Sequence, residues 1–267
     1  MIPELRNALL RRLARILIRS GTFRRHLGAI DPLYDPAFLR AAALIRDASD
    51  AEAIFARDLI LGLDARADSL QDIWVLHETA RKQGGYFVEF GAGDGLALSS
   101  TWPLERDFGW RGILAEPNPA WFDCLPRNRP LARIDRRCVY RETGQTVAFA
   151  ATRHPLLSTI CEFVDRDGHA KSRSEHTVIE VETVSLNDLL RSHGAPRTID
   201  YICIDTEGSE LAILQRFDFD AWDVALFSIE HNYTGDKPRI DDLMRSQGYE
   251  CRYPTCSGGD GWYRKCR

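Results

Sequence analysis

A buried-strand pattern followed at once by three glycines constrains the fold of this chain more than any other feature. Residues 86–90 (Tyr-Phe-Val-Glu-Phe) are mostly aromatic or β-branched, which is typical of a strand inside a sheet. Gly91, Gly93 and Gly95 follow, and glycine there allows positive φ and a close approach of a ligand to the backbone. Residues 96–108 then predict a helix. This order predicts the first unit of a nucleotide-binding α/β domain, with its ligand at the carboxyl end of the strand.

The acid within this strand, Glu89, indicates which ligand the turn binds. A carboxylate beside the glycines suits a ligand with a positively charged amino group better than one with phosphates, and S-adenosylmethionine (SAM) is such a ligand. The Gly-x-Gly-x-x-Gly fingerprint of an NAD-dependent dehydrogenase is not met, because the third glycine falls one position early. We therefore expect the following residues to bind the cofactor: Glu89, Phe90, Gly91, Ala92, Gly93 and Gly95.

The next two apolar runs predict further cofactor contacts. Residues 112–115 end in Glu116-Pro117-Asn118, and Glu116 lies about 20 residues beyond the glycines, where an acid accepts hydrogen bonds from ribose hydroxyls. The alternative for Glu116 is a surface turn. Residues 133–139 predict the third strand and a turn that flanks the adenine. The candidates in that turn are Asp135, Arg137, Cys138 and Val139.

Three carboxylates crowd the end of the strand predicted over residues 199–204. Asp205, Glu207 and Glu210 would repel one another unless they were protonated, bound to a cation or paired with a base. Capping of the following helix explains Glu210, and it explains Asp205 and Glu207 less well.

The strand predicted over residues 224–229 ends in Glu230 and His231. A lone histidine is usually structural, but this one follows a strand whose end meets the ligand turn, which favours a functional role. An alcohol needs a base or a metal to become a good nucleophile. We expect His231 to be the base, with Asp205 and Glu230 orienting it or the acceptor. The open alternative is Mg²⁺ held by Asp205, Glu207 or Glu230.

Length and composition limit the remaining classes of protein. The chain has 267 residues, 44% apolar and 28% charged, which suits one large α/β domain with extensions. The net charge of −4 does not favour nucleic-acid binding. The sequence has no run of about 18 apolar residues, so it predicts no membrane-spanning helix. Arginines interrupt the apolar residues near the N-terminus, so we expect no signal peptide and a cytoplasmic protein with seven reduced cysteines.

The first 83 residues predict a helical extension ahead of the catalytic domain, which we place at 84–267. Residues 4–19 carry leucines and isoleucine on one helical face and arginines on the other. This helix either docks on the domain or on a second subunit, which we favour, or lies on the anionic inner face of the membrane. Helices are also expected over residues 35–47, 50–61 and 70–83.

A long connection within the domain predicts an inserted substrate region at about residues 140–198. Its apolar stretches, 146–151 and 177–184, predict strands. The polar stretch between them, around 157–159 and 165–175, predicts a mobile loop near the substrate. A connection of this length is unusual between neighbouring strands of one sheet, so we expect it to serve the acceptor.

Together these motifs resemble the FkbM-type family of SAM-dependent methyltransferases. The resemblance covers about residues 84–253 and rests on residues 87–95, 112–118, 204–210 and 228–232; Gly93 stands where the family often has Asn. It implies a Rossmann-like class I methyltransferase sandwich: a seven-stranded, mostly parallel sheet whose last strand is antiparallel. It also implies O-methylation, often of a sugar hydroxyl in a glycan or natural product.

This resemblance implies a small-molecule or glycan acceptor. The alternative is a degenerate nucleotide-binding module of the same fold without catalysis. The presence of Glu89, Glu116 and Asp205 together argues against that alternative.

Overall fold

In a computed structural model of the chain, the described residues are 70–254 and 256–266, together with Phe55 and Ala67. The chain divides into two units, Met1–Ala65 and Arg66–Arg267, and the architecture below is that of the second. The helices expected over residues 4–19 and 35–47 lie outside the described residues, and only Phe55 of the one expected over 50–61 is described.

The second unit contains eleven strands and six α-helices among its described residues. The strands are β1 Tyr86–Phe90, β2 Arg111–Ala115, β3 Arg133–Asp135, β4 Cys138–Tyr140, β5 Thr146–Thr152, β6 Thr159–Ile160, β7 His176–Ser185, β8 Thr198–Ile204, β9 Asp223–Glu230, β10 Tyr249–Arg252 and β11 Asp260–Lys265. The helices are α1 Gln71–Glu78, α2 Trp102–Phe108, α3 Leu125–Asn128, α4 Leu186–Ser192, α5 Glu210–Leu214 and α6 Lys237–Ser246.

Seven of the strands form one sheet in the order β10-β11-β9-β8-β1-β2-β3. Strand β11 runs antiparallel to both of its neighbours, and the other pairings are parallel. Phe90 is opposite Ala115 on one side and Ile204 on the other, so the carboxyl ends of three central strands meet at one edge. The predicted seven-stranded, mostly parallel sheet with an antiparallel last strand is confirmed.

The central strands are buried on both faces, which explains why they read as nearly continuous apolar runs. Side chains of β1, β2, β8 and β9 form one core with those of the insert. Its fully buried members include Val88, Ile113, Ile202 and Phe227. This core fixes the sheet edge at which the glycine turn and the acidic turn lie.

A second sheet of four strands, in the order β4-β7-β5-β6, lies in the long connection between β3 and β8. Strands β5 and β7 correspond to the predicted stretches 146–151 and 177–184, and β5 pairs antiparallel with residues 176–182 of β7 over its whole length. Residues 157–159 and 165–175 form short turns of 3₁₀ helix and loop, and they bury the side chain of Arg173 completely. The polar stretch expected here thus contains one side chain that is fully buried, that of Arg173.

Helix α2 begins later than the sequence pattern indicated. A helix was expected from residue 96, but α2 starts at Trp102. Pro103 explains part of the difference, because proline lacks the backbone N–H that a helix interior needs and is tolerated only in the first turn. Residues 99–101 are instead held by a buried carboxylate of β1, described below.

Candidate active site at the carboxyl edge of the sheet

The glycine turn after β1 lies directly against the end of β8. Gly91 has a φ of +78°, and a Cβ at this position would lie 1.6 Å from the carbonyl oxygen of Asp205. The backbone N–H of Gly91 donates to Ala115, and that of Asp205 donates to Phe90 (3.1 and 3.3 Å). Only glycine can occupy this position, because it alone tolerates both the conformation and the contact.

This turn forms the floor of an open cavity at the ends of β1, β2 and β8. Side chains of the four-stranded sheet and its loops cover the cavity from the other side. Predicted cofactor residues that line it are Phe90, Gly91, Gly93, Glu116, Pro117, Cys138 and Asp205. Further lining residues are Ala115, Val139, Phe149, Pro155, Leu156, Ser158, Ile160, Thr206, Glu207 and Ser209.

Glu116 is buried at the end of β2 with its carboxylate held by two backbone amides. Gly93 donates to one oxygen at 2.9 Å, and Asn118 donates to the other at 2.8 Å. Burial raises the pKa of Glu116 to about 7, although both amides oppose the rise by favouring the charged form. A carboxylate in this position retains lone pairs for ligand hydroxyls. The ribose contact stays a prediction, and the surface-turn alternative is wrong, since only 6% of Glu116 is exposed.

Glu89 faces away from the cavity in this structure. Its carboxylate accepts hydrogen bonds from the hydroxyls of Ser99 and Thr101 and from the backbone N–H of Ser100, and lies 3.9 Å from the buried guanidinium of Arg129. These contacts hold residues 99–101 outside α2 and give Glu89 a positioning role. Direct contact between Glu89 and the cofactor therefore stays a prediction that the geometry does not favour.

Asp135 also lies outside the cavity lining. Its carboxylate accepts hydrogen bonds from the Arg137 guanidinium (3.0 and 2.6 Å) and from His193 (2.9 Å). Burial opposes the charge, but these donors lower the pKa of Asp135 to about 2. The expected adenine contact is therefore not favoured for Asp135, whereas Cys138 and Val139 do line the cavity.

The remaining predicted cofactor residues do not line the cavity themselves. Asn118 donates its side-chain amide to Ser158, which lines the cavity, at 3.0 Å. Gly95 has a φ of +76° and packs against Leu125 and Arg129. Ala92 is buried without lining the cavity. These residues shape the turn and its cover.

An acidic cluster lies where the ends of β8 and β9 meet. Asp205, Glu207 and Glu230 each place an oxygen within 4.8 Å of the others. Glu207 has a φ of +60°, and its backbone N–H donates to Glu230 at 3.1 Å. Burial and the charge of Asp205 raise the pKa of Glu207 to about 8, and burial raises the pKa of Glu230 well above its usual value. The cluster resists full ionisation because its charges are close and shielded from water.

Two polar side chains that the sequence did not single out reach this cluster. Arg173 of the insert donates to Glu207 and to Asp167. Asn232 donates to Glu230 at 2.7 Å and to Glu207 at 3.4 Å. The sequence predicted that these carboxylates must be protonated, bound to a cation or paired with a base. The base that reaches them, Arg173, lies in a loop that only the folded chain brings near.

The side chain of His231 is held by hydrogen bonds to the backbone. The backbone N–H of Tyr233 donates to its Nδ1 at 3.1 Å, and a backbone hydrogen bond with Asp260, which raises the pKa of His231, engages the ring as donor. Burial and then the charge of Lys237 lower that pKa more, so the ring is neutral at pH 7. A neutral imidazole whose acceptor nitrogen is already bonded cannot readily take a proton. These contacts favour a structural role for His231, and its role as the base stays a prediction that the geometry does not favour.

A second hollow adjoins the cofactor cavity across the turn 205–210. It is polar and contains more acidic than basic side chains. Its lining residues are Arg166, Asp167, Gly208, Glu210, Glu230, His231, Asn232, Thr234, Gly235, Asp236 and Ile240. Glu207 lines the first hollow and Glu230 the second, so the acidic cluster lies between them.

Comparison with known proteins gives one family match and one curated relative. The profile of the methyltransferase FkbM domain matches residues 89–251. A methyltransferase of Sordaria araneosa, sdnD, is 26% identical over 191 residues, which are 60% of this chain and 72% of that protein.

Solved structures with a similar fold are distant. The N-terminal domain of human METTL16 in complex with SAH has a TM-score of 0.40 at 14% identity, covering 80% of this chain and 81% of that one. A TehB-like SAM-dependent methyltransferase from Corynebacterium glutamicum has a TM-score of 0.38 at 9% identity, covering 74% and 88%.

Proposed function

Since this chain belongs to the family of FkbM methyltransferases, we propose that it transfers a methyl group from SAM to a hydroxyl of a sugar, in a glycan or a glycosylated natural product. The observation that carries the proposal is the position of the acidic cluster between two hollows. One hollow has the glycine turn and buried acid that suit SAM. The other has the carboxylates and amides that suit a molecule rich in hydroxyls.

The residues present fit SAM, whose sulfonium supplies an electrophilic methyl group. Glu116 would accept hydrogen bonds from the ribose, and the backbone of Gly91 and Gly93, which lines the cavity, would lie against the ligand. Cys138 and Val139 would form the apolar wall for the adenine. The role of these residues is to hold the ligand in line with the acceptor, because alignment is the main demand of a displacement reaction.

The acceptor hydroxyl must lose its proton as the new bond forms. Asp205 lines the cofactor cavity and is partly exposed, and it belongs to the same cluster as Glu230, which lines the second hollow. We assign the base to Asp205, with Glu230 orienting the acceptor. His231 would hold the loop after β9 in place.

Activation by Mg²⁺ at Asp205, Glu207 and Glu230 is the second mechanism that the cluster supports, because these residues offer three oxygen ligands. Transfer that continues in EDTA would exclude it. Transfer that stops in EDTA and returns with Mg²⁺ would establish it.

The test uses SAM with a deuterated methyl group and a panel of oligosaccharides, with mass spectrometry to locate the label. We expect the label on a hydroxyl oxygen. Asp205→Asn should slow transfer by about 10²–10⁴-fold, as expected when a general base is lost. Asp242→Asn, in an exposed side chain of α6, is the matched control and should transfer normally. A label on nitrogen or carbon would contradict the proposal.

A further inference from the structure

Arg173 is a fully buried arginine that joins the insert to the acidic cluster. Its side chain has no exposed surface. Its Nη1 and Nη2 atoms donate to the two oxygens of Asp167 at 2.6 and 2.9 Å, and Nη2 also donates to Glu207. The planar guanidinium thus lies between one carboxylate of the insert and one of the cluster, a geometry that lysine cannot reproduce.

The same side chain also holds the cover of the cofactor cavity. Its Nε donates to the carbonyl oxygen of Leu157 at 2.9 Å. The neighbouring Leu156 lines the cavity, and a Cβ at Gly93 would lie 2.8 Å from its side chain. One guanidinium therefore fixes the backbone over the cavity and a carboxylate at its wall.

Charge balance explains why a buried arginine is needed here. Buried carboxylates without partners are costly, whereas a pair with full hydrogen bonding is tolerated. Glu207 accepts from Arg173 and Asn232, and both Glu230 oxygens accept from protein N–H groups. Mg²⁺ requires a near-octahedral set of oxygen ligands, and one oxygen of Glu207 and both oxygens of Glu230 are already engaged. The donor set therefore fits an internal cation better than a metal.

We propose that Arg173 is a positioning residue that takes the place of a divalent cation in the acidic cluster and holds the cavity cover at Leu157. The inference rests on the proposed SAM site, and it does not depend on the acceptor or on the atom that is methylated. In wild-type protein the cluster would therefore not respond to Mg²⁺, and loss of the guanidinium would weaken cofactor binding and create a site for the metal.

The test compares wild-type protein with Arg173→Lys and Arg173→Gln. Arg153→Gln is the matched control, because Arg153 belongs to the same insert and its side chain is 77% exposed. Thermal melting in EDTA and in millimolar Mg²⁺ reports on the charge balance. Calorimetry with S-adenosylhomocysteine reports on the cavity. Neither measurement needs an acceptor, so failure of O-methyl transfer would leave the result interpretable.

We expect wild-type, Arg153→Gln and Arg173→Lys proteins to melt at the same temperature in EDTA as in Mg²⁺. Arg173→Gln should melt lower in EDTA and recover part of the loss in Mg²⁺. It should also bind S-adenosylhomocysteine about tenfold more weakly, the effect of losing one hydrogen bond to a charged group. Wild-type affinity together with metal-independent melting in Arg173→Gln would overturn the proposal.

If Arg173→Gln fails to fold, the double variant Arg173→Gln/Glu207→Gln replaces it. Removing the facing carboxylate leaves Asp167 as the one carboxylate that has lost its pairing with Arg173, so the double variant should fold where the single one does not. A double variant that is no more stable than Arg173→Gln would show that Arg173 acts through packing alone and would overturn the proposal.

Discussion

Glu116 is the residue whose role the structure sharpens most, because two backbone amides aim its carboxylate at the cavity. We expect Glu116→Ala to weaken SAM binding by about 1.5–3 kcal/mol, the range for hydrogen bonds to a charged group. Calorimetry measures the change. Glu142→Ala, in a side chain that is 61% exposed, is the control and should bind normally. Unchanged affinity in Glu116→Ala would remove this residue from the ribose role.

The raised pKa of Glu116, about 7, makes cofactor affinity depend on pH. Ribose hydroxyls donate to the carboxylate, so binding favours the deprotonated form. Below the pKa the carboxyl is protonated before binding and must release its proton, so affinity should fall by up to about tenfold per pH unit. Above pH 7 it should be constant. Calorimetry with S-adenosylhomocysteine between about pH 5.5 and about pH 8.5 measures how the affinity changes with pH. The affinity of Glu116→Gln should not change with pH in this way.

The proposed base is Asp205 rather than His231, so the loss of turnover is now expected from a change at Asp205. Loss of a general base costs about 10²–10⁴-fold, and we expect Asp205→Asn to show it. His231→Ala should fall well short of that range and instead lose about 1–3 kcal/mol of folding free energy, because Tyr233 and Asp260 lose a partner. Turnover and denaturant unfolding measure the two effects. A large loss of turnover with unchanged stability in His231→Ala would restore it as the base.

The sequence predicted the residues that follow strands at familiar spacings. Glu116 and Gly91 belong to this group, because element order and distance along the chain locate them without a structure. Arg173 does not, since it contacts Glu207, 34 residues away, from a loop whose path depends on the whole insert. The contacts of Glu89 and His231 were also not predicted, because their hydrogen-bond partners are set by the path of the folded chain.

At the scale of elements, the glycine turn after β1 packs against the end of β8. Gly91→Ala should cost more than about 4–5 kcal/mol of folding free energy, because a Cβ would meet the backbone of Asp205. Gly144 is a matched control with a similar φ, +79°, and nothing within 4 Å of a Cβ. Gly144→Ala should cost only about 1–2 kcal/mol, the penalty of the left-handed conformation. Equal losses in the two variants would contradict the close contact.

Strands were predicted more accurately than helices. Runs such as 86–90 and 199–204 are apolar except for one acid each, because both faces of the sheet are buried, so their pattern depends little on neighbouring elements. The start of α2 depends instead on the contact of Glu89 with residues 99–101, which no local pattern reveals. Pro103 was the local signal for the late start, because proline belongs to a first helical turn.

For the whole molecule, we propose that residues 4–19, which lie outside the described residues, dock on the domain or on a second subunit, with an anionic membrane surface as the alternative. Within the described part of the chain, no helix combines the length and hydrophobicity needed to cross a bilayer. Arginines near anionic lipid contribute about 1 kcal/mol each, so several would hold the protein reversibly. An acceptor on a lipid carrier would lie at the same surface.

Liposome flotation tests the membrane version of this proposal. The full-length protein should float with anionic vesicles and not with neutral ones. Deletion of residues 1–20 should abolish flotation and leave methylation of a soluble acceptor intact, because the arginines supply the attraction. Absence of flotation by the full-length protein would leave docking on the domain or on a second subunit as the role of this helix.

The position of β11 has a consequence for biosynthesis. Strands β9 and β10 are both made earlier, yet β11 lies between them, so the sheet stays open until residues 260–265 leave the ribosome. The loop before β11 also holds the segment after β9, since the carbonyl oxygen of Gly259 accepts from His231 and Asn232 at 2.9 and 3.0 Å. A nascent chain lacking β11 exposes two strand edges and leaves the second hollow unformed, and chaperones bind chains in such a state. Resistance to protease and methyltransferase activity should therefore arise together, late in translation, and substitutions in residues 253–259 should lower the yield of folded protein more than its turnover.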